Sequence, residues 1–148
     1  MSCNLSFIGH DLDPDAFVQH TGFHSFDIRR KGHERKLKRP PYIRVLPYSI
    51  VSRSITEAGF DNFKGQVQEV LTFLQDNYEK LQRVREVPGV EYANLDFGIE
   101  HKMANWTSTL HLPPELLKLV GELELSIDMS LYNDMFFRSK KKRRRRKY

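Results

Sequence analysis

Residues 91–131 read EYANLDFGIEHKMANWTSTLHLPPELLKLVGELELSIDMSL, and the period of their apolar positions decides the fold. In 91–101, Ala93, Leu95, Phe97 and Ile99 alternate with Tyr92, Asn94, Asp96, Gly98 and Glu100. In 106–112, Trp106, Ser108, Leu110 and Leu112 alternate with Thr107, Thr109 and His111. In 123–131, Leu123, Leu125, Ile127, Met129 and Leu131 alternate with Glu124, Ser126, Asp128 and Ser130. Such period-2 patterning predicts strands with one buried and one wet face; strands covered on both sides would be apolar throughout. PPELLKLVG (113–121) has prolines in its first turn and Gly at its end, the marks of a short helix.

Upstream, CNLSFIG (3–9) reads as a strand, and Asp13, Pro14 and Gly22 bracket a helix over 14–21. SFDIRR (25–30) alternates as a strand does. RKGHERKLKRPP (30–41) is loop-like and suits a hairpin tip. YIRVLPYSIVSRS (42–54) is rich in β-branched and aromatic residues, with Pro47 pointing to an edge or a bulge. Val67, Val70, Leu71, Leu74, Tyr78 and Leu81 fall at helical spacing, so a helix is expected over 61–84, with Asp61 as N-cap and Pro88-Gly89 beyond its end. The expected order is β-α-β-β-α-β-β-α-β. That is an α+β fold: a mostly antiparallel sheet of about six strands with three helices on one face, its first six elements ordered as in a ferredoxin-like unit.

The formal net charge of +5 is an average over unlike parts. Arg138 and Lys140 to Lys147 supply nine positive charges, leaving residues 1–137 with 15 Lys+Arg against 19 Asp+Glu. A second basic block, RRKGHERKLKR at 29–39, holds seven cations and one acid. The rest of the body has 8 Lys+Arg and 18 Asp+Glu. One domain over 1–137 and a disordered basic tail over 138–148 are the expected division. No apolar run approaches a membrane span and no secretory signal is visible, so a cytoplasmic protein is expected. Cys3 is the sole cysteine, which excludes an intramolecular disulfide.

Three segments together resemble a largely bacterial family, domain of unknown function 4279: GHDLDPDAFVQHTGF (9–23), RRKGHERK (29–36) and LHLPPELLKLVGELELSIDMSLY (110–132). The likeness spans about residues 4–132. Tyr48 stands where that family often carries Trp. The family has no established activity, so the resemblance implies a fold and a bacterial origin and transfers no catalytic residue. Small bacterial domains of this sort are suspected of immunity or partner-binding roles by association.

No nucleophile elbow, P-loop or dinucleotide fingerprint occurs, and no cofactor is expected. Cys3 lacks a neighbouring base or helix N-terminus to activate it, so a non-enzymatic protein is expected. His10, Asp11, Asp13, Asp15, His20 and His24 crowd the first loop and helix; helix capping explains the acids better than a metal site does.

Pairing of the C-terminal strands would place Tyr92, Asp96, Glu100, His111, Glu124, Asp128 and Tyr132 on one acidic surface with aromatic margins. Three readings compete for it: a solvated sheet face, a docking surface for a basic protein partner, and a carboxylate–histidine site. The leading reading is partner binding, of the immunity type, in which the basic partner is a toxin. The alternative is a nucleic-acid-associated protein gripping the phosphate backbone with Arg29, Arg30, Lys31, Arg35, Lys36, Lys38 and Arg39, and with Lys140, Lys141, Lys142, Arg143, Arg144, Arg145, Arg146 and Lys147. A further option for the tail is the acidic face of its own domain. The sequence sets no oligomeric state.

Overall fold

Alternate residues of three adjacent strands are driven out of water together. Cys3, Leu5 and Phe7, Val51, and Leu95 and Phe97 are all fully buried. They pack against Phe17, Val67, Val70, Leu74, Leu116 and Val120 from the helices. Phe7, Phe17, Phe23 and Phe26 form an aromatic cluster within this core, with centroid separations of 4.8–6.4 Å. The computed structural model describes residues 2–135.

The elements are β1 (Cys3–Gly9), α1 (Pro14–Thr21), β2 (Asp27–Arg29), β3 (Glu34–Lys36), β4 (Ile43–Val45), β5 (Ser49–Ser54), α2 (Phe63–Asp76), α3 (Tyr78–Gln82), β6 (Tyr92–His101), α4 (Pro114–Glu122) and β7 (Ser126–Asn133), with a 3-10 turn at Arg83–Glu86. A five-stranded sheet runs β2-β5-β1-β6-β7, and β3-β4 form a separate two-stranded sheet. All pairings are antiparallel except β6-β7. In β1-α1-β2 and in β5-α2-β6 the two strands run parallel with one strand inserted between them, the split βαβ connectivity of a ferredoxin-like unit. α4 and β7 extend it at one edge.

The fold is therefore α+β with a mostly antiparallel sheet, but its element count differs from the expected one. Among the described residues, seven strands replace about six, and four helices replace three. The basic 30–41 segment contributes β3. The 42–54 stretch divides into β4 and β5 around Pro47, which has no N–H to donate. The 61–84 helix divides at Asn77, whose backbone N–H and side-chain Nδ2 both donate to the Phe73 carbonyl. Asn62, not Asp61, caps α2 by accepting from Gly65 N at 2.9 Å. Asp13 caps α1 and Gly22 ends it with φ 73°, as read from the sequence.

The expected strand at 106–112 is absent. β6 already has β1 on one side and β7 on the other, so the slot it would need is filled. β7 is parallel to β6, and a parallel return requires a crossover, so 102–113 must leave the sheet for the helical layer to reach α4. The 123–131 strand starts only at Ser126, because Glu124 adopts φ 55° while Leu123 and Leu125 still bond back to the α4 carbonyls of Leu119 and Val120. Its odd-numbered positions face the helices as expected, but their cover thins: Leu131 is 62% exposed.

Candidate functional site

The sheet face turned away from the helices presents the even-numbered residues of β1, β5, β6 and β7 and the odd-numbered ones of β2. Register across it brings Ser54 beside Asn4 and Asn4 beside Asp96, then Ser52 beside Ser6 and Ser6 beside Asn94. Asp128 follows on β7, opposite Asp96. The centre of this face is neutral and polar, and charge collects at its two edges.

At the β6–β7 edge, Asp96 and Asp128 stand directly opposite one another in the ladder. Two carboxylates at a strand spacing of about 4.8 Å repel. Neighbouring donors hold each in place. Tyr92 Oη donates to Asp128 Oδ2 at 3.0 Å, and Asn94 Nδ2 donates to the same oxygen at 2.7 Å. Ser130 Oγ donates to Asp96 Oδ1 at 2.7 Å. Asp128 Oδ1 and Asp96 Oδ2 accept no hydrogen bond among the described residues. Each carboxylate is thus oriented through one oxygen and left with the other.

An aromatic pair closes this strip. Tyr132 lies opposite Glu100 and meets Phe60 edge-on at 5.3 Å. Phe60 leans over Gly98, where an added Cβ would sit 2.5 Å from the ring and 2.9 Å from the Ser2 carbonyl. Glycine is what lets the ring approach.

Five of the seven residues expected on the acidic surface are therefore together: Tyr92, Asp96, Glu100, Asp128 and Tyr132. His111 and Glu124 are not. His111 is exposed in the coil that replaces the expected strand. Glu124 precedes β7 and faces Arg85 at 3.5 Å, beside the 3-10 turn. Asn94 and Ser130, the donors that orient the carboxylates, escaped the sequence reading. Their even positions on 91–101 and 123–131 were the available signal.

The opposite edge is basic. Arg29, Arg30, Lys31, Arg35, Lys36, Lys38 and Arg39 are all exposed, and Arg30 pairs with Asp15 at 2.8 Å. That contact holds the Asp15 carboxyl below its usual range. Lys140 to Lys147 lie outside the described residues. His10 Nδ1–H donates to Glu91 Oε2 at 2.8 Å, which lowers the Glu91 carboxyl similarly. Asp13, Asp15 and His10 of the first loop are thus occupied in capping and pairing, and no cluster of three metal-ligating side chains occurs among the described residues. Burial pushes the Cys3 thiol well above its usual range, with the Asp96 charge adding to the effect. It is a protonated core group. No helix among the described residues is long and apolar enough to cross a membrane.

No curated protein and no solved structure matches the chain. One family model does, over residues 1–134, which is the domain that carries both edges of the open face. The chain belongs to that family, described as domain of unknown function (DUF4279).

Proposed function

We propose that this is a non-catalytic protein-binding domain that docks a basic partner on the β6–β7 end of its open sheet face. The observation that carries the reading is the opposed Asp96–Asp128 pair, each fixed through one oxygen by a side-chain donor. Pre-oriented carboxylates accept a guanidinium or ammonium group without first losing side-chain freedom. Tyr92 and the Phe60–Tyr132 pair flank the acids with flat, amphipathic area suited to an interface. Charge complementarity of this kind steers association and excludes acidic partners. An immunity-type role in a bacterial cytoplasm, with a basic toxin as partner, is the biological setting this chemistry suits. Affinity capture from cell extract tests it. The full chain should retain basic proteins that Asp96→Asn/Asp128→Asn loses at least tenfold; undiminished capture by the double variant overturns the reading.

A second reading, nucleic-acid association, has one observation in its favour. All seven cations of 29–39 are exposed, and Arg30 alone among them has an ion-pair partner in the described residues. It requires binding to DNA or RNA that is indifferent to sequence and weakens steeply with added salt. Binding that survives 0.5 M salt counts against it.

A further inference from the structure

Three arginines and a histidine converge on a cavity that the acidic face does not use. The β3-β4 hairpin stands against the open face at its β2-β5 edge and borders a half-open cavity of about 480 Å³. That lies within the range of small-ligand sites. Arg35 and Arg44 are direct partners across the hairpin ladder. Arg29 joins them from β2, where it is paired with Ile50, and His33 from the residue before β3. Leu46, Tyr48 and Ile50 give the cavity an apolar and aromatic wall, and no carboxylate lines it.

This arrangement is unfavourable by itself. Like charges directly opposite in an antiparallel pair destabilise it. Other charged groups nearby have partners, Arg30 with Asp15 and Glu91 with His10. Arg29, Arg35 and Arg44 have no ion-pair partner among the described residues. Glu34, the one acid of the basic block, alternates with His33 and Arg35 and so occupies the other face of the hairpin. A local conflict of this sort, in a concave site, marks function rather than folding.

We propose that this cavity binds a small organic phosphate carrying a flat, apolar body. Arginine forks match phosphate oxygens in pairs, which a lone lysine does not. Two opposed guanidinia plus a third suit a dianionic monoester. Tyr48, Leu46 and Ile50 would take the apolar body. The geometry favours a small ligand over a polymer, because three arginines share one concave space with an apolar wall instead of spreading along a surface. Arg30, Lys31, Lys36, Lys38 and Arg39, the remaining cations of the block, do not line it.

Calorimetric titration of the full chain tests the assignment, with phenyl phosphate, inorganic phosphate and an oligothymidylate as probes. Phenyl phosphate should bind with one-to-one stoichiometry and more tightly than inorganic phosphate. Arg35→Gln/Arg44→Gln should weaken it at least tenfold. Tyr48→Ala should weaken phenyl phosphate severalfold and leave inorganic phosphate unchanged. Neutralising Arg143 to Arg146 with glutamine should leave the cavity's affinity intact. The proposal fails if the Arg35/Arg44 variant binds as the wild type does, or if the tail variant alone loses binding. It also fails if the oligothymidylate binds while phenyl phosphate does not, which would assign the block to nucleic acid. Thermal melting guards against misfolding. Without ligand, the Arg35/Arg44 variant should melt at or above the wild-type temperature, since a repulsion is removed. A lower melting temperature would make the arginines structural and overturn the proposal.

Discussion

The two edges of the open sheet face pose the same electrostatic problem and answer it differently. Asp96 faces Asp128 across β6-β7, and Arg35 faces Arg44 across β3-β4. The main sheet spans four strand spacings, roughly 19 Å, so the two edges are well separated in water. The acids are held by Tyr92, Asn94 and Ser130 within the fold. The arginines have no ion-pair partner among the described residues. Where donors exist inside the chain, like charges can be tolerated and aimed. Where they do not, the proposed ligand would supply the compensating charge. The contrast separates the proposed docking surface from the proposed anion site.

The largest expected effect strikes the acidic edge through its packing. Gly98→Ala would place a methyl 2.5 Å from the Phe60 ring and 2.9 Å from the Ser2 carbonyl. The ring can move, but the backbone carbonyl cannot without disturbing β1. Overpacking of this kind costs about 1–3 kcal/mol. Urea denaturation should show that loss with an unchanged slope, and phenyl phosphate affinity at the basic edge should be unaltered. A coupled loss at both edges would break the separation drawn above.

Asn94→Ala comes next. It removes the 2.7 Å donor to Asp128 and leaves Tyr92 as that carboxylate's remaining partner. A hydrogen bond to a charged group contributes about 1.5–3 kcal/mol. The loss should fall toward the lower end, because Asn94 Oδ1 is buried without a partner and its removal gives some back. Ser130→Ala, acting on the half-buried Asp96, should cost less than Asn94→Ala by the same measurement. Equal and negligible effects would mean that the donors do not orient the acids.

At the basic edge the sign reverses. Arg44→Gln removes one member of an opposed like-charge pair and should stabilise the unliganded chain by about 0.2–1 kcal/mol. Low ionic strength should enlarge the gain, since screening weakens the repulsion it removes. A destabilised Arg44→Gln would sharpen the picture the other way, giving the guanidinium a structural partner in solution.

How much of this was readable in advance follows from the range of each interaction. Alternation in 91–101 and 123–131 is local, so the wet face of Tyr92, Asp96, Glu100, Asp128 and Tyr132 was visible from the residues alone. The resemblance, carried by 9–23, 29–36 and 110–132, located the family that the 1–134 match establishes. The 106–112 alternation is just as regular, yet those residues form no strand. Periodicity reports which faces differ in polarity and says nothing about which edge of a sheet is vacant. His111 left the site for that reason. Glu124 left it because one residue in a left-handed conformation separates α4 from β7. The arginine cavity was half legible. The 29–39 charge block was plain, but Arg44 and Tyr48 sat in a stretch read as strand, and only the hairpin's register brings Arg44 opposite Arg35.

The smallest effect concerns the charges that are neutralised beside the cavity. The Arg30 hydrogen bond lowers the Asp15 carboxyl in the folded chain relative to its ordinary value. A depressed carboxyl releases its proton more readily when folded, so the unfolded chain binds more protons at mildly acidic pH. The pair's contribution is therefore present above the ordinary aspartate range and is lost as pH falls through the lowered value. Both side chains are more than half exposed, so the contribution is a small one. Asp15→Asn should lower stability slightly at neutral pH and leave it unchanged at low pH, where the pair is already lost, so the acid limb of the profile flattens. It also releases Arg30, next to the cavity residue Arg29, from its anchor on α1. If the freed guanidinium joined the site, phenyl phosphate affinity would rise in Asp15→Asn. If Arg30 is a clip that positions the hairpin, affinity would fall. The fall is the expected result, because the ion pair ties the chain entering β3 to a helix of the main domain and so fixes the distance across which Arg29 faces Arg35 and Arg44.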